Sequence, residues 1–198
     1  SVNNIMIVLY AFVVISFFIT IVDIIIRFPL QSEMIDYNDI QAIVINVLAL
    51  LIQIVFFAYG FVNAIRGMLS PKRMGAVIVA FFAATCITGT GNMVINSNVQ
   101  IVLWWIVLII PNIVGAVATF AYFVSGKKSK IYSIIIYLAA IWGMFRIIYS
   151  NYNLIVHANQ YLSMNSTVRL VLGIAIHCLV IYQTYVLWIK RQNAIDIS

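Results

Sequence analysis

From Ile5 to Ile26 the chain runs almost without polar interruption, and five further stretches of similar length and character follow it. A run of about 20 apolar residues is what the hydrocarbon core of a bilayer demands of a helix. Composition agrees: 65% of the 198 residues are hydrophobic and 8% are charged, with a mean hydropathy of +1.10, against an apolar share of roughly 45–50% in soluble domains. Too few charged side chains exist to solvate a water-facing shell. A soluble enzyme, a nucleic-acid binder and a disordered tail are therefore excluded, and the expected partner is the lipid bilayer, with no nucleic acid.

Six apolar segments can be drawn, at about 5–26, 41–65, 74–94, 99–124, 131–149 and 167–189. Strands of a β-barrel would alternate apolar and polar residues, whereas these runs are continuous, so each backbone must satisfy itself within a helix. The expectation is an all-α integral membrane protein, a six-transmembrane-helix bundle forming one polytopic domain over 1–198. The first run lacks a basic leader and is too long for a signal-peptide core, so it reads as a span. No repeat of 20 to 50 residues is evident.

Orientation follows from the basic residues at the helix ends. Arg66, Lys72, Arg73, Lys127, Lys128, Lys130, Lys190 and Arg191 fall at one set of ends; only Arg27, Arg146 and Arg169 fall at the other. Eight against three places both termini in the cytoplasm and the protein in the cell membrane. Glu33, Asp36 and Asp39 then lie in an external loop. The cytoplasmic loops are short and contain Gly, Ser and Pro where a helix must stop. The two longer connections, Phe28 to Ile40 and Ser150 to Ser166, are external; they lie on the membrane surface or fold over the helix mouths as a lid.

Polar side chains inside spans are costly and so mark interior faces. In the first span Ser16, Thr20, Asp23 and Arg27 share one stripe, and Asp23 and Arg27 are spaced to pair. In the second, Asn46, Gln53 and Gly60 recur every seven residues, which predicts an inward face. In the third, Ala76, Ala80, Ala84 and Thr88 form a small-residue stripe suited to close helix packing, with Thr85, Thr88 and Asn92 extending polarity outward; these threonines commonly bond their own backbone. Pro111 and Asn112 break the fourth span at mid-depth, freeing carbonyls within reach of the Asn112 amide. Trp104 and Trp105 read as an outer interfacial belt, and Trp188 beside Lys190 and Arg191 as its inner counterpart.

In the fifth span Trp142, Arg146 and Tyr149 fall at i, i+4 and i+7, an arrangement that sets a cation between two aromatic rings. In the sixth, Arg169, Gly173 and His177 recur every four residues. His177 reads as a satisfied interhelical hydrogen-bond partner before it reads as a ligand. Asp23, Arg27, Arg146 and Arg169 all occupy the external third, and with Tyr149, Tyr152, Tyr161 and His157 they outline an outward pocket for a ligand with an anionic or polar head and a flat or apolar body. The alternative is snorkelling to lipid phosphates. The ligand-binding candidates are thus Asp23, Arg27, Asn46, Asn92, Trp142, Arg146, Tyr149, Arg169 and His177.

Catalytic and cofactor chemistry has little support. Cys86 and Cys178 lack the spacing of a disulfide framework or a zinc site and read as buried thiols. His177 and Cys178 are adjacent, hence about 100° apart on a helix, and cannot pair. Two histidines at different depths do not make the axial pair of a membrane haem, and nucleotide-binding and zinc-protease motifs are absent. No catalytic residue, metal or cofactor is expected. Asn165-Ser166-Thr167 matches a glycosylation sequon.

Two readings lead. One is a transporter or its ligand-binding subunit; the other is a sensor or accessory subunit that binds a protein partner in a larger membrane complex. An intramembrane enzyme ranks third and a channel, with a polar route through Gln53, Asn63, Gln183 and Thr184, fourth. In size, six spans, internal termini and external polar convergence, the chain is similar to the substrate-binding subunits of energy-coupling-factor vitamin transporters. The resemblance is one of architecture: the Ala-x-x-x-Ala feature of that family's first span is missing here, and Ala76-x-x-x-Ala80-x-x-x-Ala84 lies in the third. A reporter enzyme fused after Ser198 is expected to be active on the cytoplasmic side and one inserted in the loop around Asp36 outside; the reverse pattern would overturn this orientation.

Overall fold

The computed structural model describes residues 2–31, 37–95, 103, 105–151 and 164–195, with side-chain placement for most of them. Every regular element among them is helical: α1 Val2–Gln31, α2 Tyr37–Ile65, α3 Pro71–Ile95, α4 Ile110–Thr119, α5 Lys130–Ser150 and α6 Met164–Ile195, with π-helical turns Trp105–Ile109 and Phe120–Val124 on either side of α4. Six stretches of 19 to 23 residues, one in each helix and its flanking turns, are long and apolar enough to cross a membrane. The all-helical fold is therefore compatible with a multi-pass membrane protein. The expected segments fall within these helices, the fourth as far as its described residues reach.

Each helix packs on its neighbours in sequence, α6 closes on α1, and α3 meets α6 across the middle. The arrangement is two rows of three, with α1, α6 and α5 lying over α2, α3 and α4. Half of the apolar stretch is buried in the central helices α3 and α6 and also in the segment around the corner helix α4, against 33% in α1 and 17% in α2 and α5.

The α3–α4 contact shows how side-chain size fixes register. Gly75, Phe82 and Gly89 recur every seven residues on α3 and meet Phe123, Gly115 and Leu108 in turn on the antiparallel partner. Small faces large at each level, and a Cβ on any of the three glycines would collide with the opposing side chain. The steps on the α4 side are seven and then eight residues. The second π-helical turn takes up the additional residue, keeping Phe123 on the same face as Gly115. Within the stripe expected on α3, Ala80 and Ala84 are buried, whereas Ala76 and Thr88 are half-buried.

The ring closes between the first and last helices through a buried polar pair. Gln183 of α6 donates through Nε2 to the phenol oxygen of Tyr10 on α1, and Gly60 of α2 leaves room for that phenol. Phe17 and Tyr10 carry their rings to 5.6 and 6.2 Å from the ring of Phe57, extending the contact toward α2.

Both basic loops stand at one end of the bundle, here termed the basic end. The first begins with a C-terminal helix cap: Gly67 adopts φ +65°, Met68 N–H donates to Asn63 and Gly67 N–H to Ala64, the pairing that satisfies the last free carbonyls of a helix. Ser70 then accepts the Arg73 N–H at 3.3 Å, with Pro71 opening α3 where its missing N–H costs nothing. After α4 the cap is wider, with Ser125 N–H reaching back five residues to Phe120 and Gly126 at φ +70°. Arg191, near the end of α6, donates to the carbonyls of Tyr122 (2.6 Å) and Lys127 (2.9 Å) and lies over the Tyr122 ring at 4.1 Å.

Gly75→Val is expected to destabilise the fold by about 1–3 kcal/mol through overpacking, since the opposing atom is the Phe123 Cβ, which sits too close to the backbone to yield. The gain in helix propensity, under about 1 kcal/mol, is too small to offset this. Denaturant titration in detergent micelles checks it; unchanged stability would refute the register.

Candidate functional site

Away from the basic end, α3, α4 and α5 meet around the break at Pro111. In an α-helix the N–H of residue 111 would bond the carbonyl of Val107; proline has none to give. The indole N–H of Trp142 on α5 takes its place, 2.7 Å from the Val107 oxygen. Side chains also contact the next two carbonyls. Asn112 donates through Nδ2 to Leu108 at 2.6 Å, as its sequence position leads one to expect, and the Cys86 thiol of α3 lies 3.9 Å from the Ile109 oxygen. The break thus takes the form of a π-helical turn whose carbonyls are held by side chains from α3, from α4 itself and from α5.

The α5–α6 contact repeats the small-against-large pattern. Gly143 meets the Nε2 edge of His177, and Gly173 meets Ile147; each glycine stands four residues from the large side chain on its own helix, and the pairs match because the helices run antiparallel. His177 is buried, its Nδ1 is 2.7 Å from the Gly173 carbonyl, and its ring meets Phe81 edge-on at 5.0 Å. A carbonyl only accepts, so Nδ1 carries the proton and the bond is made within α6. His177 therefore joins α3, α5 and α6 by packing.

Arg146 occupies a different row of α5. Ala139 faces Gly115 of α4, Trp142 bonds α4 at Val107, and Arg146, seven and four residues further on, continues that flank. Its side chain is half-buried. The expected sandwich of Arg146 between Trp142 and Tyr149 is not what forms. Phe145 stands between those rings instead: Trp142 and Phe145 stack at 6.0 Å and 29°, Phe145 and Tyr149 at 6.2 Å and 20°. On the helix, residues 145 and 146 flank the line from 142 to 149 on opposite sides, each within about 60° of it, and the two outer rings turn to the Phe145 side, the Trp142 indole being held by the Val107 carbonyl. The spacing 142, 145, 149 is the signal in the sequence for this row of rings. All three rings are exposed, forming an aromatic strip along α5.

Other candidates are placed elsewhere or not described. Asn46 is exposed, Gln53 half-buried and Gly60 buried, so the expected inward stripe on α2 turns in only toward the basic end. A seven-residue repeat drifts about 20° per step on a straight helix, and corner helix α2 presents a narrow inner face. The side chains of Asp23, Arg27, Asn92 and Arg169, together with Tyr152, His157 and Tyr161, lie outside the described residues. The polar route considered for a channel is not continuous: Asn63 and Thr184 donate to their own helices at Tyr59 and Val180, and Gln183 donates to Tyr10. Ser16, Thr20, Thr85 and Thr119 likewise bond carbonyls four residues back. Among the described residues no group of His, Cys, Asp or Glu side chains is placed to hold a metal ion.

One feature of charge distribution bears on Arg146. From Ile40 to Ile195 the chain contains no aspartate or glutamate at all. α3, α4, α5 and α6 and every connection between them are acid-free, and the acidic residues before Ile40 belong to α1, to the segment after it and to the start of α2; α1 and α2 are not among the helices that pack on α5.

Comparison with protein-family models, with curated proteins and with solved structures yields no match.

Trp142→Phe is expected to cost about 1–2 kcal/mol by leaving the Val107 carbonyl unpaired. In a Pro111→Ala background, where residue 111 regains its N–H, the same change should cost less than about 0.5 kcal/mol. A double-mutant cycle measured by reversible unfolding checks this, and equal costs in both backgrounds would show that the indole does not substitute for the missing amide.

Proposed function

We propose that this protein is a membrane-embedded capture subunit that binds a small ligand with an anionic or polar head group at the end opposite the basic loops, as a transporter or as the substrate-binding part of one. The observation that carries the reading is Arg146: a half-buried guanidinium within a helix apolar enough to span a membrane, in a part of the chain without acidic residues. A cation held among apolar groups needs an anion or strong acceptors nearby. Among the described residues no group accepts a hydrogen bond from it, and α4 to α6 have no carboxylate to offer. An anion from outside the chain completes the site.

Packing near the basic end favours capture over conduction. Met6, Tyr10, Met74, Tyr122, Phe123 and Leu187 are buried there; Asn63 and Thr184 are turned to their own backbones and Gln183 Nε2 to Tyr10, the Gln183 Oε1 is left without a partner, and among the described residues no ring of charge lines a path for an ion. Catalysis gains no support, because Asp23 is the one intramembrane carboxylate and His177 is enclosed by packing. The reading as a sensor or accessory subunit rests on the exposed aromatic strip of α5, which also suits a partner helix.

Native mass spectrometry of the protein purified in mild detergent separates these. A retained small molecule, reduced at least tenfold in occupancy by Arg146→Ala (about 1.4 kcal/mol), is the expected outcome. A retained protein with no small molecule would favour the accessory role, and unchanged ligand occupancy in Arg146→Ala would remove this residue from the site.

A further inference from the structure

We propose that the ligand of Arg146 is an amphiphile with an acidic head, taken laterally from the bilayer, its apolar body lying on the Trp142–Phe145–Tyr149 strip. This inference rests on the capture reading and names the chemical class captured.

Three observations converge on it. The first is the geometry of the strip: three exposed rings on successive turns of one helix, tilted from one another by 29° and then 20°. A row of exposed, near-parallel rings of this kind suits a chain or a flat hydrocarbon body, whereas a water-borne polar solute would gain little from it. The strip is also fixed at its inner end, since the Trp142 indole is held by the Val107 carbonyl.

The second is the position of the charge. Arg146 follows Phe145 in sequence and precedes Tyr149 by three residues, so residue 146 stands beside the strip on the flank of α5 that sets Ala139 against Gly115 and Trp142 against Val107 of the α4 segment. An oxyanion there accepts two parallel N–H bonds from a guanidinium. A body attached to it then runs along Phe145 and Trp142, toward the exposed Leu138 and Ile141 and the middle of the helix. Head near the helix end and chain toward mid-depth is the orientation a lipid already has in a leaflet, so the ligand need not be turned over to bind.

The third is complementarity. With no carboxylate on α4, α5 or α6, nothing built into these helices competes with an incoming acid, and a neutral amphiphile would leave the guanidinium uncompensated. The site thus selects for the acidic head over the same chain capped by an alcohol.

The full chain with Trp104→Phe, Trp105→Phe and Trp188→Phe, leaving Trp142 as sole reporter, is reconstituted in neutral phosphatidylcholine vesicles and titrated with dibrominated stearic acid or the matching dibrominated alcohol. Bromine quenches an indole only on contact. The acid is expected to reach half-quenching at a concentration at least tenfold below the alcohol, Arg146→Gln to abolish that difference, and Phe145→Ala to weaken acid and alcohol alike while leaving the ratio between them unchanged. Should Arg146→Gln fail to fold, lowering the pH until the acid is protonated tests the same point on the unaltered arginine: acid and alcohol must then quench alike. Equal quenching by acid and alcohol at neutral pH, or a difference that survives Arg146→Gln or protonation of the acid, overturns the proposal. Inorganic phosphate or a short-chain acid that displaces the brominated acid at equal concentration would assign the site to a soluble anion instead. If the lipid arm fails while a co-purified ligand still depends on Arg146, only the lateral amphiphile falls; if both fail, the capture reading falls with it.

Discussion

A backbone surrounded by hydrocarbon has no water to turn to, and every carbonyl released by a helix irregularity must be met by the protein itself. The segment around Pro111 shows how much of this molecule follows from that. Three successive carbonyls are met by an indole, an amide and a thiol drawn from three helices. The break in one helix thereby becomes a set of ties among its neighbours. Trp142 is held at one end of the α5 strip because Val107 needs a donor, and Cys86 orients α3 against the same turn. The serine and threonine side chains obey the same rule in its simplest form, folding back on the carbonyl one turn earlier.

Side-chain size then decides which faces meet. The α3–α4 ladder of Gly75, Phe82 and Gly89 against Phe123, Gly115 and Leu108, and the α5–α6 pair of Gly143 and Gly173 against His177 and Ile147, are both small-for-large matches. Between apolar helices in an apolar solvent, burial gives little preference for one register over another, so close contact and shape must supply it. A π-helical turn that restores the face after an extra residue is part of that matching and not a defect.

The helices themselves were legible in the sequence because an unbroken apolar run of about 20 residues leaves no polar alternation for a strand and has the length of a helix able to cross a bilayer. So were the Pro111 break, the Asn112 response to it and the threonine back-bonding, since each depends on residues within about four positions. The basic loops were legible as places where a helix must stop, through Gly67, Ser70, Pro71 and Gly126. What could not be read was which helix meets which. Tyr10 and Gln183 are 173 residues apart, and nothing local to either announces the other. Phe145 escaped notice for a different reason: a phenylalanine in a span has no polar cost to explain, so pattern reading passed over it to the arginine next door. Asn46 misled in the opposite sense, because a polar residue in a span implies an inward face only where the helix has enough neighbours to supply one.

Charge is distributed by a separate logic. Backbone groups and hydroxyls in this bundle are compensated from within, and Arg191 is compensated by the carbonyls of Tyr122 and Lys127 together with the face of a tyrosine ring. Arg146 has none of these among the described residues, although it is no less costly to desolvate. The difference is informative because the protein plainly has the means to satisfy a guanidinium and uses them at the basic end. Placing an arginine beside three stacked rings, within a span and far along the chain from any acid, makes sense if the compensating anion is meant to arrive and leave. A lysine there would draw its compact charge away along a flexible stem toward water; a planar guanidinium offers two donors in one direction, the geometry that an oxyanion matches.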